Sequence, residues 1–232
     1  MTWTRLFWQD LRFQWRHGFY GAYVLVSAIY IVFLRQLSGP WQELAGIAVL
    51  FSDPAGLGFF FVGGIFLLER GDSLHGALFT APVTVRHYLL AKVGSLAVLS
   101  VAAGGAIVHW GLNITIAWLP LLLGLTLGSM LFTLLGIAAA VRCETVNQYM
   151  LVSLLFSPLF LPVAEVFGVA GGQWFWWLFP SKGMLLLLES GVKGQGVPWL
   201  AVAASCIWLV LVSYWTATWF RRFVLEDAGW AG

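Results

Sequence analysis

Six long apolar stretches joined by short polar loops decide most of what this chain can become. They cover residues 18–34, 45–68, 88–108, 114–141, 149–170 and 197–220. A helix needs about 20 apolar residues to cross about 30 Å of hydrocarbon. The first stretch has only 17 residues, but Arg35 can reach outward along its aliphatic stem and extend it. The runs are apolar throughout and lack the alternation of a barrel strand, so the need to satisfy every backbone polar group in lipid predicts helices. Composition excludes a water-soluble globule, because only 9% of the 232 residues are charged against about 25% in an ordinary soluble domain. A soluble fold of this length would still leave roughly a quarter or more of its unfolded surface exposed. With 60% hydrophobic residues, that remainder calls for lipid. The expected fold class is an all-α membrane protein with six transmembrane helices in one domain covering residues 1–232.

Charge reports orientation. A net charge of +2 is too small to suggest a nucleic-acid partner, and the basic residues fall at segment ends instead of forming one patch. With both termini inside, the cytoplasmic loops hold Arg5, Arg12, Arg16, Arg70, Arg86, Lys92, Arg142, Arg221 and Arg222, while Arg35, Lys182 and Lys193 lie outside. Nine against three is a positive-inside bias, which predicts cytoplasmic termini. Residues 1–17 mix Trp3, Leu6, Phe7, Trp8 and Leu11 with three arginines, as suits an amphipathic helix on an anionic leaflet. No small-residue cleavage site follows the first apolar run, so it is expected to be retained. Residues 174–188 are too short to cross and carry Pro180, Ser181 and Lys182 at their centre. They predict a re-entrant hairpin in the outer leaflet between helices five and six, with Trp174, Trp176 and Trp177 at the headgroups.

Cys143 and Cys206 support neither a disulfide framework nor a metal spacing, and His17, His75, His87 and His109 are scattered without neighbouring carboxylates. There is no G-x-S-x-G and no phosphate-binding G-x-x-x-x-G-K-[ST], so neither an enzyme nor a nucleotide or metal cofactor is expected on this chain. Asp53 sits before Pro54 inside an apolar run. It reads either as a helix break capped by its own carboxylate or as a lining of a substrate path; Glu165 is the second acid at membrane depth. Gly124, Gly128 and Gly136 predict a helix face that packs closely in lipid. The richest polar stretch is residues 69–82, where Asp72 or Ser73 can cap a short helix and Pro82 ends it. Leu74, Ala77, Leu78 and Ala81 recur on one face of that helix. So short a helix needs a surface to lie on, either lipid headgroups or a cytoplasmic partner.

The pattern Glu69, Gly71, Leu74, Leu78, Thr80, Pro82, then Tyr88-Leu89-Leu90 and Lys92, resembles the loop between the second and third membrane helices of ABC-2-type permeases. Thr145-Val146-Asn147-Gln148-Tyr149 and Phe179-Pro180-Ser181-Lys182-Gly183 are similar to the fluoroquinolone or multidrug export subgroup. The resemblance implies that Glu69, Arg70, Asp72, Leu74, Leu78, Thr80 and Pro82 form a coupling helix resting in a groove of a separate ABC ATPase, which holds the ATP and Mg. It also implies a second permease copy or sister chain, export of an amphipathic or hydrophobic small molecule, and a bacterial inner-membrane location. A haem-export permease of cytochrome c maturation and a non-transporting membrane scaffold are the alternatives.

Overall fold

The computed structural model describes residues 3–52, 57–71, 85–169 and 174–227, and every regular element among them is a helix. Where the apolar pattern is longest, the helices are longest. Helix α1 (Trp3–Arg16) leads into α2 (Phe19–Gln36), α3 (Pro40–Leu50) and α4 (Leu57–Gly71). Helices α5 (Val85–Gly111) and α6 (Trp118–Ala140) follow, then α7 (Val146–Leu154), a 3-10 turn (Ser157–Phe160) and the one-turn α8 (Val163–Val166). A second 3-10 segment (Trp174–Leu178) precedes α9 (Lys182–Val192) and α10 (Trp199–Asp227).

Four of these, α2, α5, α6 and α10, are long and apolar enough to cross a membrane, and a fifth is gained if the bent pair around α7 is one span. The expected stretch 45–68 is divided between α3 and α4, and residues 53–56, with Asp53, lie outside the described residues. The stretch 149–170 is interrupted as well, bending by 56° between α7 and the segment that follows. Pro158 accounts for it, since it lacks the N–H that would bond to the Leu154 carbonyl and its ring crowds that turn. The N-terminus of α7 is well defined: Thr145 Oγ1 accepts from the Gln148 N–H at 3.2 Å, while Gln148 Oε1 accepts from the Glu144 N–H at 2.9 Å. That exchange is a reciprocal N-terminal cap.

Helix α6 is the axis, packed by α4, α5, α9 and α10. Residues 131–141 are buried on every side, as a helix apolar all round must be when neighbours surround it. Small residues set the spacing. A Cβ on Gly136 would lie 2.4 Å from Val62 Cγ1 and 2.6 Å from the Phe59 carbonyl, so α4 rests on bare backbone there. Gly124 faces Leu187 and Leu188 of α9 instead, and Gly128 is buried on the same helix, so these glycines serve different neighbours within one chain. Gly183 and Gly191 seat α9 against α10 and Leu121 in the same manner.

The far ends of α2 and α5 are tied together. Gln42 Nε2 donates to both the Leu34 and Gly111 carbonyls at 3.2 Å, and Arg35 Nε donates to the Trp110 carbonyl at 2.7 Å. These bonds bring side-chain donors to the last carbonyls of the two helices, of which Leu34 also accepts from the Leu37 N–H at 3.2 Å. Glu165 is paired with Lys182 at the start of α9, which gives the carboxylate the cation that membrane depth demands. Of the three tryptophans expected at headgroup level, Trp174 and Trp177 are exposed, but Trp176 is turned inward between Phe175 and Phe179.

Candidate functional site

The most polar interior of the described chain lies where α1, α4 and α5 meet, at the end of α4 that leads into residues 72–84. Lys92 sits about two turns inside α5 and is 1% exposed. An ammonium at that depth requires anions. It has two: Asp10 Oδ1 of α1 at 2.6 Å and Glu69 of α4. Tyr88, one turn earlier on α5, donates its hydroxyl to Glu69 Oε2 at 2.8 Å. Gln14, one turn after Asp10, donates to Ser95 Oγ at 2.9 Å, and Ser95 donates in turn to the Lys92 carbonyl at 3.1 Å. The Phe13 and Tyr88 rings lie 5.7 and 5.6 Å from the Lys92 ammonium, completing its shell with π faces.

Helical spacing explains how α1 reaches this cluster. Leu6, Asp10 and Gln14 recur every four residues and are buried against α5, while Trp8 and Trp15 are 65% and 73% exposed on the other sides. The buried and half-buried residues of α1, namely Leu6, Phe7, Asp10, Leu11, Phe13 and Gln14, thus form one seam along the helix, and two of its members are polar. Asp10 is the charged member of that seam. Burial drives its carboxyl up from 3.8 to about 6; the Lys92 charge opposes that rise and the neighbouring Glu69 charge adds to it.

Of the residues expected to form the coupling helix, the structure places Glu69 in this cluster and the backbone of Arg70 in the last turn of α4. Asp72, Leu74, Leu78, Thr80 and Pro82 lie outside the described residues, as does Asp53. Among the described residues no group of His, Cys, Asp and Glu could hold a metal ion. What the cluster does chemically is fasten three helices by charge, near the ends of α4 and α5 that flank residues 72–84.

A second contact lies halfway along α4. Tyr149 of α7 stacks on Phe59, with ring centroids 5.9 Å apart, and donates its hydroxyl to the Phe59 carbonyl. A Cβ on Gly63 would fall inside the Tyr149 ring, so glycine there leaves the space that the ring occupies.

Comparison with known proteins gives this architecture its family. The model of the fluoroquinolones export permease protein family matches residues 2–228. The chain belongs to that family. Two relatives named fluoroquinolones export permease protein, from Mycobacterium tuberculosis strains CDC 1551 and H37Rv, are each 29% identical over 229 residues, covering 95% of both chains. No solved structure matches. Membership in an export permease family, together with several long apolar helices, makes this a multi-pass membrane transporter subunit and not an enzyme. The polar cluster at Lys92 thus belongs to the internal framework of a permease.

Proposed function

We propose that this chain is the membrane subunit of an ABC exporter that moves an amphipathic or hydrophobic small molecule outward, driven by a separate ATPase. The observation that carries this reading, beside the whole-chain family match, is the placement of the Lys92 cluster. It binds α4, α5 and the N-terminal helix into one unit at the two roots of residues 72–84, so a push on that loop is delivered to three helices at once. A loop rooted in a soft helix end would dissipate the same push. The exposed apolar faces of α2 and α10, among them Val24, Leu25, Val210 and Leu211, accord with lipid contact.

In this reading the membrane is crossed six times. The α3–α4 pair and the α7–α8 pair supply broken crossings, and residues 174–192 dip into the outer leaflet and return. Both termini are cytoplasmic, in a bacterial inner membrane, as the distribution of basic residues favours. The coupling helix is formed by residues 72–82, with Leu74 and Leu78 seated in the ATPase groove, while Glu69, expected within it, belongs to α4 and the buried cluster. ATP and Mg are held there and not on this chain. Two permeases, alike or sister chains, enclose the path, and Asp53 lines it. The deciding experiment is affinity purification of the full chain from native membranes, with and without Leu74→Asp plus Leu78→Asp. Recovery of an ATPase with the native chain and its loss with the double variant supports the reading. Equal recovery of the ATPase with both overturns the coupling assignment.

A further inference from the structure

A groove of about 670 Å³ runs between α5, α6 and α10, on the outer surface of the bundle beside the Lys92 cluster. Its size falls within the range of small-molecule sites. Its walls are apolar side chains such as Leu89, Val93, Met130, Leu134 and Leu209. Two of the three hydroxyl side chains that line it are engaged by their own helix: Ser213 donates to the Val210 carbonyl at 2.8 Å and Thr218 to the Trp215 carbonyl at 2.7 Å, while the third, Tyr214, is exposed. The walls therefore suit hydrocarbon and offer little to a hydrated solute.

One end of the groove has the opposite character. Arg86, in the first turn of α5, and Arg221, near the end of α10, both line it. The Tyr88 ring stacks on Phe220 with centroids 5.3 Å apart, which brings these two helix ends to the same level and so puts both guanidinium groups at the same mouth. Both arginines are exposed, and among the described residues lining the groove there is no carboxylate to neutralise them. From Arg221 back to Leu209 the α10 wall rises about 18 Å at about 1.5 Å per residue. Half of a hydrocarbon core of about 30 Å is about 15 Å, so the groove has the depth of one leaflet with its cations at the surface. Thr216 Oγ1 donates to the Leu134 carbonyl at 3.1 Å, which pins α10 to α6 and keeps the cleft preformed.

We propose that this groove is a binding site for an anionic phospholipid, one acyl chain lying between α5 and α10 and the headgroup phosphate held by Arg86 and Arg221. Guanidinium groups match phosphate in charge and planar donor geometry. A second copy of this chain is a poor occupant, because it would bring the same two arginines to the mouth and no acid to meet them. The site is distinct from the loop of residues 69–82, and the proposal does not depend on what the permease transports.

The test is native mass spectrometry of the detergent-purified full chain titrated with palmitoyl-oleoyl phosphatidylglycerol or with the phosphatidylcholine of the same chains. The native protein is expected to retain the anionic phosphatidylglycerol in preference to the zwitterionic phosphatidylcholine. Each arginine replaced by glutamine should weaken that retention about fivefold, and Arg86→Gln with Arg221→Gln together roughly 25-fold. Arg86→Lys with Arg221→Lys should keep most of the preference, and Ser213→Phe, which fills the cleft with a ring, should lower retention while leaving both charges in place. Size-exclusion profiles establish that each variant is folded. Equal retention of the two lipids by the native chain, or unchanged preference in the double glutamine variant, would overturn the proposal. So would a transported amphiphile that loses affinity in that variant while lipid retention stays the same.

Discussion

Replacing Lys92 by methionine isolates the energetics of the polar cluster. The ammonium is shared by Asp10 at 2.6 Å and by Glu69, and both carboxylates are nearly buried, with side-chain exposures of 12% and 7%. Methionine preserves the length of the stem but leaves two neighbouring buried carboxylates with no cation. Removing one partner of a buried ion pair costs about 3–5 kcal/mol, because an uncompensated charge remains. For a chain of this size 1 kcal/mol moves the melting temperature by about 2–4 °C, so a loss of roughly 6–20 °C is expected. The assay is thermal unfolding in detergent at pH 7.5, followed by the fluorescence of the 14 tryptophans. A triple variant, Lys92→Met with Asp10→Asn and Glu69→Gln, removes all three charges, and the amide side chain that replaces Glu69 still presents an oxygen to the Tyr88 hydroxyl. It should recover at least half of the loss, since neutral replacement of a whole buried ionic group is often tolerated. The reasoning is refuted if the single variant melts within about 2 °C of the native protein, or if the triple variant is no more stable than the single one.

The Asp10 carboxyl, raised by burial to about 6, makes the docking of α1 depend on pH. A carboxyl whose docked pKa exceeds its free value favours docking when protonated; that contribution is complete below about 3.8 and is lost as pH rises through about 6. Hydrogen exchange of residues 3–16, corrected for intrinsic rates, should therefore slow between pH 7 and pH 5, and Asp10→Asn should flatten the response. Gly136→Leu forces a side chain into the backbone of α4, where even a Cβ would approach the Phe59 carbonyl to 2.6 Å, and should cost about 1–3 kcal/mol by thermal unfolding. Tyr149→Phe removes the hydroxyl that donates to the Phe59 carbonyl and should cost about 1 kcal/mol in the same assay, with the ring stack retained. Asp53→Asn tests the proposed substrate path: transport into inverted vesicles should fall while the amount of protein in the membrane stays constant, and unaltered transport would remove Asp53 from the path.

Much of the fold was legible because membrane insertion is governed by length and hydropathy. The stretches 18–34, 88–108 and 197–220 appear as α2, α5 and α10, each with ends shifted by a few residues. The breaks were harder to read. Pro158 and Pro162 are plain in the sequence, yet the apolar run continues across them, and hydropathy does not register a missing N–H. The polar cluster was missed for a different reason. Glu69 and Lys92 were noticed as parts of a loop pattern, but their pairing depends on which faces of α4 and α5 meet, and pairing across helices leaves no periodic trace. A signal existed in two isolated charges. Asp10 is the sole acid among residues 1–42, and Lys92 is a cation inside an apolar run that has to find an anion. The mixed faces of α1 obscured the first of these, since a helix with tryptophan on one side and arginine on another reads as a surface helix although its aspartate points inward.

Helices α2 and α5 are held at both extremities. At one end the Lys92 cluster fastens α5 to α1, which runs on through His17 and Gly18 into α2, and at the other Gln42 and Arg35 tie the last carbonyls. A pair of rods pinned at both ends behaves as a single oar: it can swing, but its two members cannot slide or splay. A bend in this chain therefore falls elsewhere, and the 56° elbow after α7, where the ladder has tightened to shorter turns and Pro158 brings no N–H, is one such place.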